Sequence, residues 1–248
     1  KFMYVTGDSF SLGQELGTAK LGVTETPEML FQFNEYKRQH CYSGIMGNKI
    51  GVTDYANSSC PGGSNERAYR CLIKDVSEKL KIYNPNEIFV NISLTHESRR
   101  EFCMDETGSY YIHLASWEPP KMPQMHNHAL WQIITRHFNH DYGNFTFGMM
   151  ILLGVQNFLR SNKVPYLITS SMGNYYEREA QKKVIPQSLL DQIYQKRYYA
   201  EPSFAEFSQI NKYEIGPQFH PLEEGDAMLA NHLLQHIETN NLFDNGDL

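Results

Sequence analysis

Short apolar runs alternate along this chain with longer stretches in which apolar residues return every three or four positions, the patterns of buried strands and amphipathic helices. "FMYVT" ends at Gly7, as a buried strand does when it delivers its carboxyl end to a turn. "IFVNISL" from Ile88 to Leu94 and "VPYLITSS" from Val164 are two further strong strands, and "KIGVTDYANSSCPGGSN" is a weaker one running into a Gly-rich loop. Between them, "ETPEMLFQFNEYKRQH" carries the Pro and Glu of a helix start near residue 27. Ser64 is placed to cap a helix whose Ala68, Cys71, Leu72, Val76 and Leu80 share one face. Helices are also predicted for "ALWQIITRHF", for residues 147 to 160, and for the closing segment after "GPQFHP". Strands alternating with helices predict a three-layer α/β/α sandwich around a mainly parallel sheet. We read residues 1–248 as one domain, with a variable, Tyr-rich insertion or lid at about 173–213. The tyrosines there line a substrate groove, make a dimer contact or pack the lid.

The chemistry-bearing turns all follow strands and so fall along one sheet edge, where ligands bind in such folds. Ser9 follows the first strand, Gly62 and Gly63 the second, Thr95 the third, and His220 lies in a loop before the last helix. A serine hydrolase needs this set: a nucleophile, oxyanion donors and a general base. Taken alone, Ser9 reads as a helix cap, His220 as a surface histidine and Thr95 as a turn cap; their order along the chain is what gives them weight together.

With these residues in place, the sequence resembles the SGNH, or GDSL-type, hydrolase superfamily. "GDSFSLG" is similar to its first block, which makes Ser9 the nucleophile. "PGGSN" resembles the second, whose glycine gives an N–H to the oxyanion; Gly62 and Gly63 are both candidates. "FHPLEEGDAMLANHL" resembles the last, with His220 as base. The wording of the blocks looks most like a bacteriophage-encoded subgroup. Two departures stand out. The third block's Asn donor is replaced within "SLTHESRREF", leaving Thr95 or His96 at that place, and the Asp expected three residues before the base is Pro217. A backbone carbonyl of residues 217 to 219, Glu223 or Glu224 then has to orient His220. The resemblance implies an esterase or acyl hydrolase, or an acyltransferase, working through acyl-Ser9; the two losses also admit a degenerate member that only binds.

Composition narrows the setting. The formal net charge of −6 speaks against broad phosphate-backbone binding, so nucleic acid is an unlikely partner. The partner implied by the resemblance is a small-molecule or carbohydrate ester; homo-oligomerisation stays open. No apolar run is long enough to cross a bilayer, and a cytoplasmic setting is expected, that of the host cell for a phage protein. The four cysteines form no C-x-x-C pair and read as reduced, mostly buried thiols. Asn65, His96, Arg99 and Arg100 are candidate substrate contacts, with one of the two arginines expected to pair with Glu97 or Glu101 instead. His126, His128, His137, His140 and Asp141 have the residue types of a metal site, whose presence would suit phosphoester chemistry, but the spacing favours a polar helix face, and no metal or other cofactor is expected.

Overall fold

The computed structural model describes residues 1–17, 35–107, 111–115, 125–137, 139–172, 185–199 and 202–243. The helix start near residue 27 lies outside them, as do residues 173–184 and 200–201 of the 173–213 segment. The described chain runs β1 (Phe2–Thr6), α1 (Ser9–Leu12), α2 (Glu35–His40), α3 (Tyr42–Ile50), β2 (Asp54–Asn57), α4 (Asn65–Lys79) and β3 (Ile88–Leu94). It continues through β4 (Arg99–Cys103), β5 (Tyr111–Ala115), α5 (Met125–His137), α6 (Asp141–Ser161) and β6 (Tyr166–Ser170). The remaining elements are α7 (Gln187–Leu190), β7 (Tyr198–Tyr199), α8 (Phe204–Asn211) and α9 (Glu223–Thr239).

Five strands form one parallel sheet in the order β2-β1-β3-β6-β7. Alternation along each strand decides which layer a side chain joins. Phe2, Tyr4, Ile88, Val90, Ile92, Tyr166 and Ile168 face Ala68, Leu72 and Val76 of α4 and Met149, Leu152, Val155 and Leu159 of α6. Met3, Val5, Phe89 and Leu167 face Tyr42 and Met46 of α3, Phe204 and Phe207 of α8, and Leu229, Leu233 and Ile237 of α9. The protein is thus the expected α/β/α sandwich. Because both faces are covered, the inner strands are almost continuously apolar, which is why they stand out in the sequence.

Two elements differ from the expectation. The charged stretch after β3 is a second, two-stranded antiparallel sheet of β4 and β5, whose alternating, half-buried positions lack the long apolar run of a central strand. Part of the segment read as an insertion belongs to the main sheet, where Tyr198 and Tyr199 pair with Ile168 and Thr169 and are buried. Those two tyrosines are sheet residues. Of the cysteines, Cys41 is buried, Cys60 and Cys71 are half-buried, Cys103 is exposed, and all four are free thiols. Among the described residues no helix is long and apolar enough to cross a membrane.

Candidate active site

The turn after β1 is held by its own sequence. The Asp8 carboxylate caps α1 by accepting from the Phe10 amide at 3.1 Å, and Gly13 ends the helix at φ 71°, a conformation that favours glycine. Ser9 sits at the first position of this short helix. Its Oγ is 2.7 Å from Nε2 of His220, and Nδ1 of that ring is 2.9 Å from Oε2 of Glu15. A carboxylate can only accept, so Nδ1 carries the hydrogen, Nε2 is the acceptor, and the Ser9 hydroxyl donates to it. Ser9, Glu15 and His220 are each no more than 6% exposed; Ser9 is therefore buried, where a strand-end serine is expected to be open. Phe10 packs on the imidazole, ring centroids 4.8 Å apart.

Glu15 is the residue that sequence reasoning missed. It also accepts from the backbone amides of Gln218, at 3.0 and 3.1 Å, and of His220, at 3.3 Å. Burial pushes its carboxyl up, but the bonds from the His220 ring and the two amides, with the positive charge His220 can carry, hold it below the ordinary value. Neither Glu223 nor Glu224 takes this place: Glu223 accepts from Tyr36 at 2.6 Å. Gly216 is required opposite the acid, since a Cβ there would lie 2.6 to 2.7 Å from the Glu15 carboxyl atoms. The signal in the sequence was only a Glu six positions after the serine.

The two glycines separate. The Gly63 amide donates to the Cys60 carbonyl at 2.9 Å, and its Cα packs so closely that a Cβ would meet the carbonyls of Cys60 and Gly7. Gly62 has φ 68°, and among the described residues neither its amide nor that of Ser9 donates to another group.

Thr95 is committed elsewhere. Its hydroxyl donates to Asp8 Oδ2 at 2.7 Å and accepts from Arg99 Nη1 at 2.7 Å, so its single hydrogen is not aimed at a substrate. Asp8 Oδ2 further accepts from Ser171 at 2.7 Å and Arg99 at 3.0 Å, joining the ends of β1, β3 and β6 to β4. Asn65 is buried and clamps the backbone of Thr95, accepting from its N–H at 2.7 Å and donating to its carbonyl at 3.0 Å. Arg100 binds Glu66 at 2.7 Å and lies over Phe147, while Glu101 is taken by Arg70. Both arginines are thus ion-paired, with partners other than those expected, because β4 turns them back onto the turn after β1 and onto α4. His96 bonds the amide and hydroxyl of Ser98 through Nδ1.

Of the histidine group, His140 caps α6 by accepting from the Gly143 amide, and His137 is exposed. The side chains of His126, His128 and Asp141 lie outside the described residues. Among the described residues no three His, Cys, Asp or Glu side chains are grouped to hold a metal. A groove of about 790 Å³ lies between α8 and α9, lined by Phe207, Ile210, Met228 and His232 among others, and none of Ser9, Glu15 or His220 lines it.

A buried Ser–His–Glu hydrogen-bonded array at the carboxyl edge of a parallel α/β sheet defines the structural class. The chain belongs to a family of unknown function, DUF6071, whose model matches residues 24–247. No curated protein matches it. Among solved structures it is similar to the psychrotrophic esterase EstA from Pseudoalteromonas sp., with 12% identity over 96% of this chain and 97% of that one, TM-score 0.46. It is also similar to TesA, with 13% identity over 97% and 99% and TM-score 0.49. A third is the lipase Lip_vut3 from a goat rumen metagenome, with 13% identity over 95% and 96% and TM-score 0.48.

Proposed function

We propose that the protein is a serine hydrolase of the SGNH type that cleaves esters through an acyl-Ser9 intermediate. The observation that supports this reading is the continuous array from Ser9 Oγ through His220 to Glu15, at 2.7 and 2.9 Å. In this mechanism Nε2 takes the proton as Ser9 attacks the carbonyl carbon, then gives it to the departing alcohol. Glu15 fixes the tautomer and stabilises the imidazolium without itself taking the proton. The amides of Ser9 and Gly62 receive the oxyanion. Water, deprotonated by the same imidazole, releases the acid and restores Ser9. The ester is a small-molecule or carbohydrate one. Asp8, Thr95, Arg99 and Asn65 hold the strand-end turns that carry the reacting groups. The reading of the fold as a binding module drew on two losses, and Glu15 answers the loss of the acid.

A fluorophosphonate probe tests the reading, since it forms a stable bond only with an activated serine. Labelling of the parent that disappears in Ser9→Ala and in His220→Ala, together with hydrolysis of short acyl esters, is expected. A parent that neither labels nor turns over would overturn it.

A further inference from the structure

Among the described residues, five other than glycine have positive φ: Glu15, Lys163, Lys212, Phe219 and Asn241. Lys163, Lys212 and Asn241 lie at or just beyond the ends of α6, α8 and α9, where a left-handed residue commonly closes a helix. The other two belong to the candidate site. Phe219, at φ 68°, directly precedes His220, and the residue is 71% exposed. A bulky side chain in this region costs free energy that glycine would avoid, and such strain collects at functional positions. So exposed a residue offsets little of that cost by burial.

The surroundings hold Phe219 in place. Its amide donates to the Gly216 carbonyl at 2.9 Å, the Gly216 amide donates to the His220 carbonyl at 2.8 Å, and Ile215 bridges to Pro221 at the base of the turn. Glu15 takes the amides on either side of it, those of Gln218 and His220. Ile215, at the base of the turn, is itself 38% exposed.

We propose that Phe219 is a specificity residue: a fixed aromatic platform for the leaving-group side of the ester, selecting alcohols that carry a ring or another flat apolar face. The inference rests on the serine-hydrolase reading for its direction. His220 protonates the departing oxygen, so the alcohol portion lies on the side of His220, and Phe219 is the preceding residue, in a turn tied by these hydrogen bonds.

The test uses two acetate esters, phenyl and methyl, which differ only in the alcohol. Binding is read by ligand-observed NMR on Ser9→Ala and on Ser9→Ala with Phe219→Gly, and turnover on the parent and on Phe219→Gly. Loss of one stacked aromatic contact corresponds to roughly a two- to tenfold change. The preference for phenyl over methyl acetate is expected to fall by that factor in both readouts, through KM in turnover. Phe219→Tyr is expected to retain it. The melting temperature of Phe219→Gly should not drop, because glycine accepts the left-handed backbone. An unchanged preference overturns the inference, and so does an equal loss for both esters with a lower melting temperature, which would make Phe219 a support for the turn. A parent without turnover or labelling would overturn the hydrolase reading, while the binding arm would still decide the role of Phe219.

Discussion

Glu15 performs two tasks with one carboxylate: from a backbone at φ 70° it orients an imidazole and ties the amides of residues 218 and 220. An amide in its place keeps the shape but can turn its NH2 toward Nδ1, favouring the wrong tautomer. In a serine protease that exchange costs about 10⁴-fold. Glu15→Gln is accordingly expected to lower kcat by roughly three to four orders of magnitude with KM little changed, as steady-state kinetics on a short ester would show. The same variant reports on stability. Because the folded pKa of Glu15 lies below its ordinary value, its contribution is full above about pH 4.5 and is lost as pH falls through the folded pKa. Denaturant midpoints measured down the acid range should therefore fall more steeply for the parent than for Glu15→Gln. At Thr95 the expected effect is on stability. Thr95→Val removes a hydroxyl that bonds both Asp8 and Arg99 in a buried site, and leaving such groups short of a partner costs about 1–3 kcal/mol. A lowered melting temperature is the check; loss confined to kcat would return Thr95 to the oxyanion site.

The turn from Gly216 to His220 is the element on which sequence reasoning fell furthest short. The order of the motif-bearing turns was legible, because β1, β3 and β6 are apolar on both faces and their ends are marked by Gly7, Thr95 and Ser171. Ser64 announced the start of α4 by its capping role alone. What orients His220 was not legible, since the contact joins two turns that only the folded sheet brings together, and Pro217 gave no hint of Glu15. The arginine partners were hidden for the same reason: β4 is short and half-buried, so its pairing with β5 and its contacts with Asp8 and Glu66 follow from tertiary placement. With the Nδ1 partner known, Pro217→Asp is expected to leave activity unchanged or lower it, because a second carboxylate near Glu15 adds like-charge repulsion. Gly216→Ala is expected to reduce kcat toward that of Glu15→Gln, its methyl group displacing the acid it would touch at 2.6 to 2.7 Å. On α9, burial pushes the Asp226 carboxyl well above its ordinary value against the pull of the Tyr42 amide, and the charge of Glu223 adds to the rise. An acid raised in this way destabilises the fold increasingly as pH climbs above its unfolded value of about 4. Asp226→Asn should thus gain stability relative to the parent between pH 5 and pH 8 in denaturant titrations.

Across the whole molecule the two apolar layers and the reacting edge are separable. Leu152 is fully buried in the layer between the sheet and α6, so Leu152→Ala is expected to cost about 2–5 kcal/mol. Probe labelling at Ser9 should persist wherever that variant stays folded, which combined thermal melts and labelling would verify. The reacting edge has a different dependence on the chain. Glu15 and Ser9 lie close together in the chain after β1, so two segments must meet to build the Ser9–His220–Glu15 array, and the bond from Glu15 to His220 spans 205 positions. Closing so long a loop is entropically late unless the intervening layers have already formed. On the proposed serine-hydrolase reading, probe labelling of Ser9 is a clock for folding: in a refolding experiment it is expected to start only when the first turn and the 216–220 turn are locked together, after the helices and sheet have gained their spectroscopic signals.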